Sequence, residues 1–313
     1  SSHFFGRQTM LDKLESQIKM NFLLVGGRQL GKTSLLKALY RKLNQNPNCY
    51  CLYLSMSDDR LLPRLSYYSG ITDYADLSDL MTQLKNKHKG KHIRILIDEA
   101  DLFIQSEIEG GFELMDQIRA SSDQGLCQFV FAGFWKLYAS AVLDYHSPLR
   151  NLAETITVGP LDASAAFQLI NQPMTMLRQQ FESSELIQDI YQQTGGRANL
   201  INIICEHLVE QLAAGQLGAK QLGVEQMASG EKVINAHMIK EAYQSDRVVD
   251  ALLGWSNLTS NAQACALDRA IVYVVFIRHE VNLPVINDIM GEQGINLNPE
   301  QLKQSIQRLR LAH

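Results

Sequence analysis

Apolar residues form short unbroken runs in the first half of the chain and helical stripes in the second. "NFLLV" (21–25), "IRILI" (93–97) and "CQFVFA" (127–132) read as strands buried on both faces. "CYCLYLS" (49–55) and "ETITV" (154–158) bring the strands to five. Helical stripes lie between them. Residues 31–43 carry Leu35, Leu36, Leu39 and Leu43 on one face, and residues 73–88 carry Leu77, Leu80, Met81 and Leu84. A further helix is predicted over 111–121. Strands alternating with helices predict an α/β fold with a parallel sheet and right-handed crossovers.

After Gly159-Pro160 the period changes. "DASAAFQLINQPMTML", "SSELIQDIYQQT", "ANLINIICEHLVEQLAA" and "NAHMIKEAYQ" read as helices with no strand between them. Asp162 and Ser183 are expected N-caps, and Gly195-Gly196 separates the second helix from the third. The Gly/Gln-rich stretch 213–231 is expected to be a mobile insertion. Residues 261–276, 283–291 and 298–311 make three more helices of winged-helix proportions. The predicted domains are therefore a P-loop nucleotide-binding domain over 1–160, a helical lid over 161–245 and a winged-helix-like domain over 246–313.

The first strand ends in Gly26-Gly27-Arg28-Gln29-Leu30-Gly31-Lys32-Thr33-Ser34, which fits G-x-x-x-x-G-K-[ST]. Each position has a physical reason. Glycines let the backbone curl so that successive N–H groups face phosphate oxygens. The helix that follows adds the positive end of its dipole. Lys32 would bridge the β- and γ-phosphates of ATP, and the Thr33 hydroxyl would bind Mg²⁺. Hydrolysis needs a second, acidic site, and "IRILIDEAD" supplies one. Asp98 directly follows an apolar strand and is placed to hold Mg²⁺; Glu99 is placed to orient the attacking water. Asp101 reads as a solvated residue at a helix start.

The bulk numbers change little. The 313 residues carry a net charge of −4, so nucleic acid would have to be drawn by a local patch. The longest apolar run, 270–277, is too short to span a bilayer, and the N-terminus lacks the pattern of a signal peptide. The five cysteines read as reduced thiols of a cytoplasmic protein, with Cys49 and Cys51 expected on opposite faces of their strand. The histidines show no ligand spacing. A chain that starts without Met and stops after "QRLRLAH" is expected to be a fragment of a longer one.

The order "FFGRQTMLDKLESQI", "LLVGGRQLGKTSLLKAL", "ILIDEADLF", "SPLRNLAETITVGPLDASAAFQLI", "TGGRANLINIICEHL" resembles the STAND ATPases, a branch of the AAA+ superfamily that includes NOD-like receptors. The resemblance runs from residue 4 to about 245. It implies a nucleotide-binding sheet, a helical lid and a winged helix. It also implies a resting state closed on ADP that opens for assembly on exchange for ATP. Phe5-Gly6-Arg7 resembles the family's opening motif, beside adenine and phosphates. Pro160 matches the proline that packs on adenine, although the spacer before it is missing. Arg150 is the first candidate for a γ-phosphate sensor, Arg197 matches a second sensor in the lid, and Arg28 lies within the P-loop. Phe134 stands where many relatives have a polar or arginine sensor, which argues against fast hydrolysis.

The expected function is a Mg²⁺-dependent ATP/ADP switch with slow ATPase activity, self-associating in its ATP state. An effector segment or partner protein is expected outside this fragment. The alternative is a DNA-associated AAA+ ATPase of transposition, loading or secretion type. Lys303, Gln307 and Arg310, with Gln304 and Arg308 beside them, could face DNA from the last helix, whose core stripe is Leu302, Ile306 and Leu309. Glu300 and the negative net charge oppose that contact.

Overall fold

The five apolar runs of the first half pair side by side in one parallel sheet. The computed structural model describes residues 5–221, 232–280, 282–292, 294 and 297–312. Its strands are β1 (Phe22–Val25), β2 (Cys49–Ser55), β3 (His92–Asp98), β4 (Gln128–Gly133) and β5 (Glu154–Thr157). They lie in the order β2-β3-β4-β1-β5. All pairs are parallel, with Leu24 opposite Ala132 and Ile156, and Ile97 opposite Phe131. Every carboxyl end therefore emerges on the same edge, and the loop after β4 lies between the loops after β1 and β3.

Burial follows the apolar pattern. β1 and β4 are buried at every position, as strands covered on both faces should be. Helix α2 (Lys32–Gln45) buries Leu35, Leu36, Leu39 and Leu43 as predicted. Helix α1 (Gln8–Ser16) adds Leu11 and Leu14 to the same core. Helix α3 (Leu61–Ser69) follows β2. Helix α4 (Leu77–Lys87) buries all four predicted residues and starts later than its pattern suggests, because Asp76 caps Asp79 N–H at 2.8 Å. Two helices, α5 (Asp101–Gly110) and α6 (Glu113–Asp123), connect β3 to β4, and the short α7 (Trp135–Tyr138) follows β4. Helices α1, α3 and α5 lie outside the helices predicted from periodicity; each is only nine or ten residues long.

Three buried side chains of this unit stand out. Cys49 and Cys51 are both buried in one core, because strand residues two apart share a face; the predicted opposite faces do not hold. Arg94 is fully buried on β3, its guanidinium 5.4 Å from the centre of the Phe22 ring and donating to the Gln17 carbonyl at 3.2 Å. Burial pulls its pKa down to about 10.

The chain divides into two compact units, residues 1–159 and 160–313. In the second, α8 (Ala163–Met176), α9 (Ser184–Thr194), α10 (Ala198–Gln221), α11 (Ala236–Gln244) and α12 (Asp246–Leu253) share one core. Asp162 caps Ala165 N–H at 2.8 Å, whereas Ser183 begins α9 without a side-chain cap and donates to Glu185 instead. Gly195 and Gly196 turn the chain at φ of 58° and 73°. A Cβ on Gly196 would sit 2.4 Å from the Leu161 carbonyl oxygen.

This unit is not free of strands, contrary to the pattern reading. Strands β6 (Gln179–Phe181) and β7 (Lys232–Ile234) pair in parallel. Three residues are too few to show a period, and the partner lies more than fifty residues away, so only the tertiary fold joins them. The stretch read as an insertion continues α10 to Gln221; residues 222–231 lie outside the described residues.

Helices α13 (Ala262–Arg278), α14 (Leu283–Glu292) and α15 (Pro299–Ala312) form a separate apolar cluster around Leu267, Ile271, Ile286 and Leu302. Arg308 does not belong to a solvated face. It is buried and grips Asp268 with two nitrogens, at 2.8 and 2.7 Å, beside the Ser305 hydroxyl at 2.9 Å.

Candidate functional site

The carboxyl edge of the first sheet carries the glycine loop after β1 and the carboxylates after β3. β1 stops at Val25 and the chain enters Gly26, whose added Cβ would lie 2.3 Å from the Val158 carbonyl oxygen just past β5. Val158 N–H donates to the Val25 carbonyl at 2.7 Å, so the two strand ends are tied and only glycine fits at 26. Gln29 and Gly31 then take left-handed backbone, at φ of 67° and 87°. Leu30, fully buried, anchors the middle of the loop in the core, while Gly27 is buried and Arg28 is exposed. The loop ends at Lys32, the first residue of α2, with Thr33 and Ser34 beside it on the first helical turn.

This geometry fits a polyphosphate. A curled loop without a side chain at its closest point feeds the amino end of a fourteen-residue helix. Lys32 Nζ lies over the loop, donating to the Gly26 and Gly27 carbonyls at 2.8 and 2.7 Å. Desolvation lowers the pKa of this ammonium, and Glu99, Asp101 and Asp98 oppose the shift. Lys32 is half-buried, and the carboxyl groups that follow β3 lie close enough to act on its charge.

β3 ends in Asp98, which is buried. The Tyr53 hydroxyl donates to its Oδ2 at 2.8 Å, and Glu99 N–H donates to its Oδ1 at 3.1 Å. The Asp98 carboxylate raises the Tyr53 phenol, after desolvation. Glu99 reaches solvent and has left-handed backbone, φ 57°, rare for a residue with a side chain. Partial desolvation and then Asp98 push its carboxyl above the usual range, against Lys32 and Arg28. Among the described residues no cluster of three or more His, Cys, Asp or Glu could hold a metal ion. The donors at hand, Thr33 and Asp98, are the sparse oxygen set that suits Mg²⁺ alongside phosphate oxygens.

Asp101 is where the sequence reading fails. It does start α5, but it is only partly exposed, and its carboxylate accepts three backbone N–H groups beyond β4. Phe134 donates at 2.6 Å, Lys136 at 2.8 Å and Leu137 at 3.2 Å. Tyr53 is the other participant missed. Its strand alternation marks a residue facing away from Leu52 and Leu54, but nothing local marks its partner.

The arginines separate. Arg7 is buried and donates to the Gly159 carbonyl at 2.8 Å; desolvation pulls it to about 10. It therefore lies where β5 gives way to the second unit. Arg28 is close enough to act on both Lys32 and Glu99. Arg150 is exposed on a short turn, stacked 3.8 Å from the centre of the Tyr145 ring, and is not among the charges acting on Lys32 or Glu99. Pro160 and Arg197 belong to the second unit. Pro160 is exposed; Arg197, half-buried and lowered by desolvation, precedes α10.

Residues 17–138 match the family model of an AAA domain. No curated protein matches the sequence. Among solved structures the chain is similar to a Walker-type ATPase of Pyrococcus abyssi, at 16% identity and a TM-score of 0.58, over 99% of this chain and 90% of that one. It is also similar to the Aeropyrum pernix ORC2 protein, solved as ADPNP–ADP complexes, at 11% identity and TM-score 0.57, over 99% and 88%. The ORC1 protein of the same organism, in complex with DNA, follows at 13% and 0.53, over 99% and 83%. At such identities these likenesses show the fold alone, and the family match is confined to residues 17–138 of the first unit.

Proposed function

We propose that this chain is a Mg²⁺-dependent ATP-binding switch of STAND type that hydrolyses ATP slowly and converts its nucleotide state into domain rearrangement and self-association. The observation that carries the reading is the curled glycine loop at the amino end of α2, with the Lys32 ammonium held over it by the Gly26 and Gly27 carbonyls, on the sheet edge where Asp98 ends β3 and Glu99 follows. In this reading Lys32 and the loop amides hold the phosphates, and Thr33 and Asp98 hold Mg²⁺. The ion, when bound, neutralises charge that develops on the phosphoryl oxygens. Glu99 orients the attacking water and takes its proton. Residues 161–245 serve as the lid and 246–313 as a winged-helix-like domain. Arg7 and Pro160 flank the adenine side, and Arg197 and Arg150 are the sensor candidates.

One experiment separates binding from chemistry. Lys32→Ala should abolish the rise in Tm that ADP or ATP gives wild type, since a charge-assisted phosphate contact is lost from a site otherwise made of amide dipoles. Glu99→Gln should keep that rise and lose turnover by about 10²–10⁴-fold. A Lys32→Ala protein still fully stabilised by ADP would remove the phosphate site from this loop. A Glu99→Gln protein with wild-type turnover would remove the catalytic role of Glu99.

A further inference from the structure

Asp101 does more than begin a helix. Its carboxylate spans from the end of β3 to the end of β4, receiving the N–H groups of Phe134, Lys136 and Leu137. The chain gives it room: a Cβ on Gly133 would lie 2.8 Å from Asp101 Oδ2 and 3.0 Å from Leu137 Cβ. A main-chain bond, Ala100 N–H to the Ala132 carbonyl at 2.9 Å, runs beside it.

Between Asp98 and this double anchor sits Glu99, in left-handed backbone at φ 57°. Such a conformation is unfavourable for glutamate and persists only where its surroundings fix it. On the Asp98 side the fixing bonds are Tyr53 to Asp98 and Glu99 N–H to Asp98. On the other side they are Ala100 to Ala132 and the three amides on Asp101. Without Asp101, the Ala100–Ala132 bond alone holds the segment after Glu99, the left-handed turn is less firmly fixed, and the Glu99 carboxyl loses its aim.

We propose that Asp101 is a positioning residue: by clamping the turn after β4 to the end of β3, it holds Glu99 in its left-handed backbone and so aims its carboxylate. This rests on the ATPase reading above. A plain capping role for Asp101 would instead appear as lost stability, with binding and turnover weakened together.

The test uses the whole chain and measures ATP turnover, KM and ADP-dependent thermal stabilisation. Asp101→Ala should lower kcat by about tenfold to a hundredfold, as expected for a misplaced catalytic group, with KM within about threefold of wild type. Asp101→Asn, which keeps one acceptor oxygen, should fall between them. Gly133→Ala leaves Asp101 in place but displaces its carboxylate, so it should copy Asp101→Ala and serves if that variant does not fold. In the Glu99→Gln background, Asp101→Ala should cost nothing further, because it acts through Glu99. Wild-type kcat in Asp101→Ala and Gly133→Ala, a parallel loss of nucleotide binding and turnover, or losses that multiply with Glu99→Gln would each overturn the inference alone. A wild-type chain that does not turn over ATP would overturn the ATPase reading and this inference with it.

Discussion

A single glycine shows how tightly the loop is built. Gly26 is buried between two tied strand ends, and a methyl group there meets the Val158 carbonyl oxygen at 2.3 Å, a backbone atom that cannot swing aside. Gly26→Ala should therefore destabilise the first unit by about 1–3 kcal/mol, the range for overpacking, and weaken nucleotide binding as the loop shifts. Urea unfolding followed by ADP titration checks both; an alanine variant as stable as wild type, with unchanged affinity, would mean that the approach of β5 to the loop is looser than described. Gln29 makes the complementary point. It is left-handed at φ 67° without being glycine, so the motif's spacing did not announce the bend.

At the scale of elements, the bond between α13 and α15 is ionic as well as apolar. Asp268 and Arg308 are both nearly inaccessible, and Ser305 completes the group. Removing one partner leaves the other charge buried and unpaired, which costs about 3–5 kcal/mol. Asp268→Leu and Arg308→Met should each lower the unfolding free energy by about that much, while the double substitution should recover much of it because no orphan charge remains. Chemical denaturation of the three proteins decides; a double variant as unstable as the sum of the singles would show that the pair acts through other groups. The same pair weakens the case for α15 as a DNA reader, since Arg308 is spent internally and leaves Lys303 and Arg310 as the exposed cations of that helix.

For the whole molecule, a switch and a repeatedly cycling motor differ in what a trapped ATP state does. Under the proposed switch, Glu99→Gln with ATP and Mg²⁺ should elute from a sizing column as a larger species than with ADP. Lys32→Ala should stay at the resting size under both conditions. A ligand shifts such an equilibrium only by its differential affinity for the two states. Identical profiles for the two variants would leave the ATPase and remove the switch.

The sequence by itself determined what is local. The glycine and lysine spacing of the P-loop, the carboxylate after an apolar strand, the five strands and the leucine stripes of α2 and α4 are set by periods and by neighbours within a few residues. The stretch that matches an AAA domain model, 17–138, is the part with the most such local signal. The tertiary structure alone decided whatever depends on partners distant in the chain. The order β2-β3-β4-β1-β5 set the β4 turn between the two motif loops. Only there does Asp101 meet amides 33 to 36 residues on, so a side chain read as solvated became a clamp. Likewise Arg308 found Asp268 forty residues back, and β6 found β7. A charged or short polar segment has no period to display its environment. Its burial depends on what the rest of the chain packs against it, and the chain must fold before that is fixed.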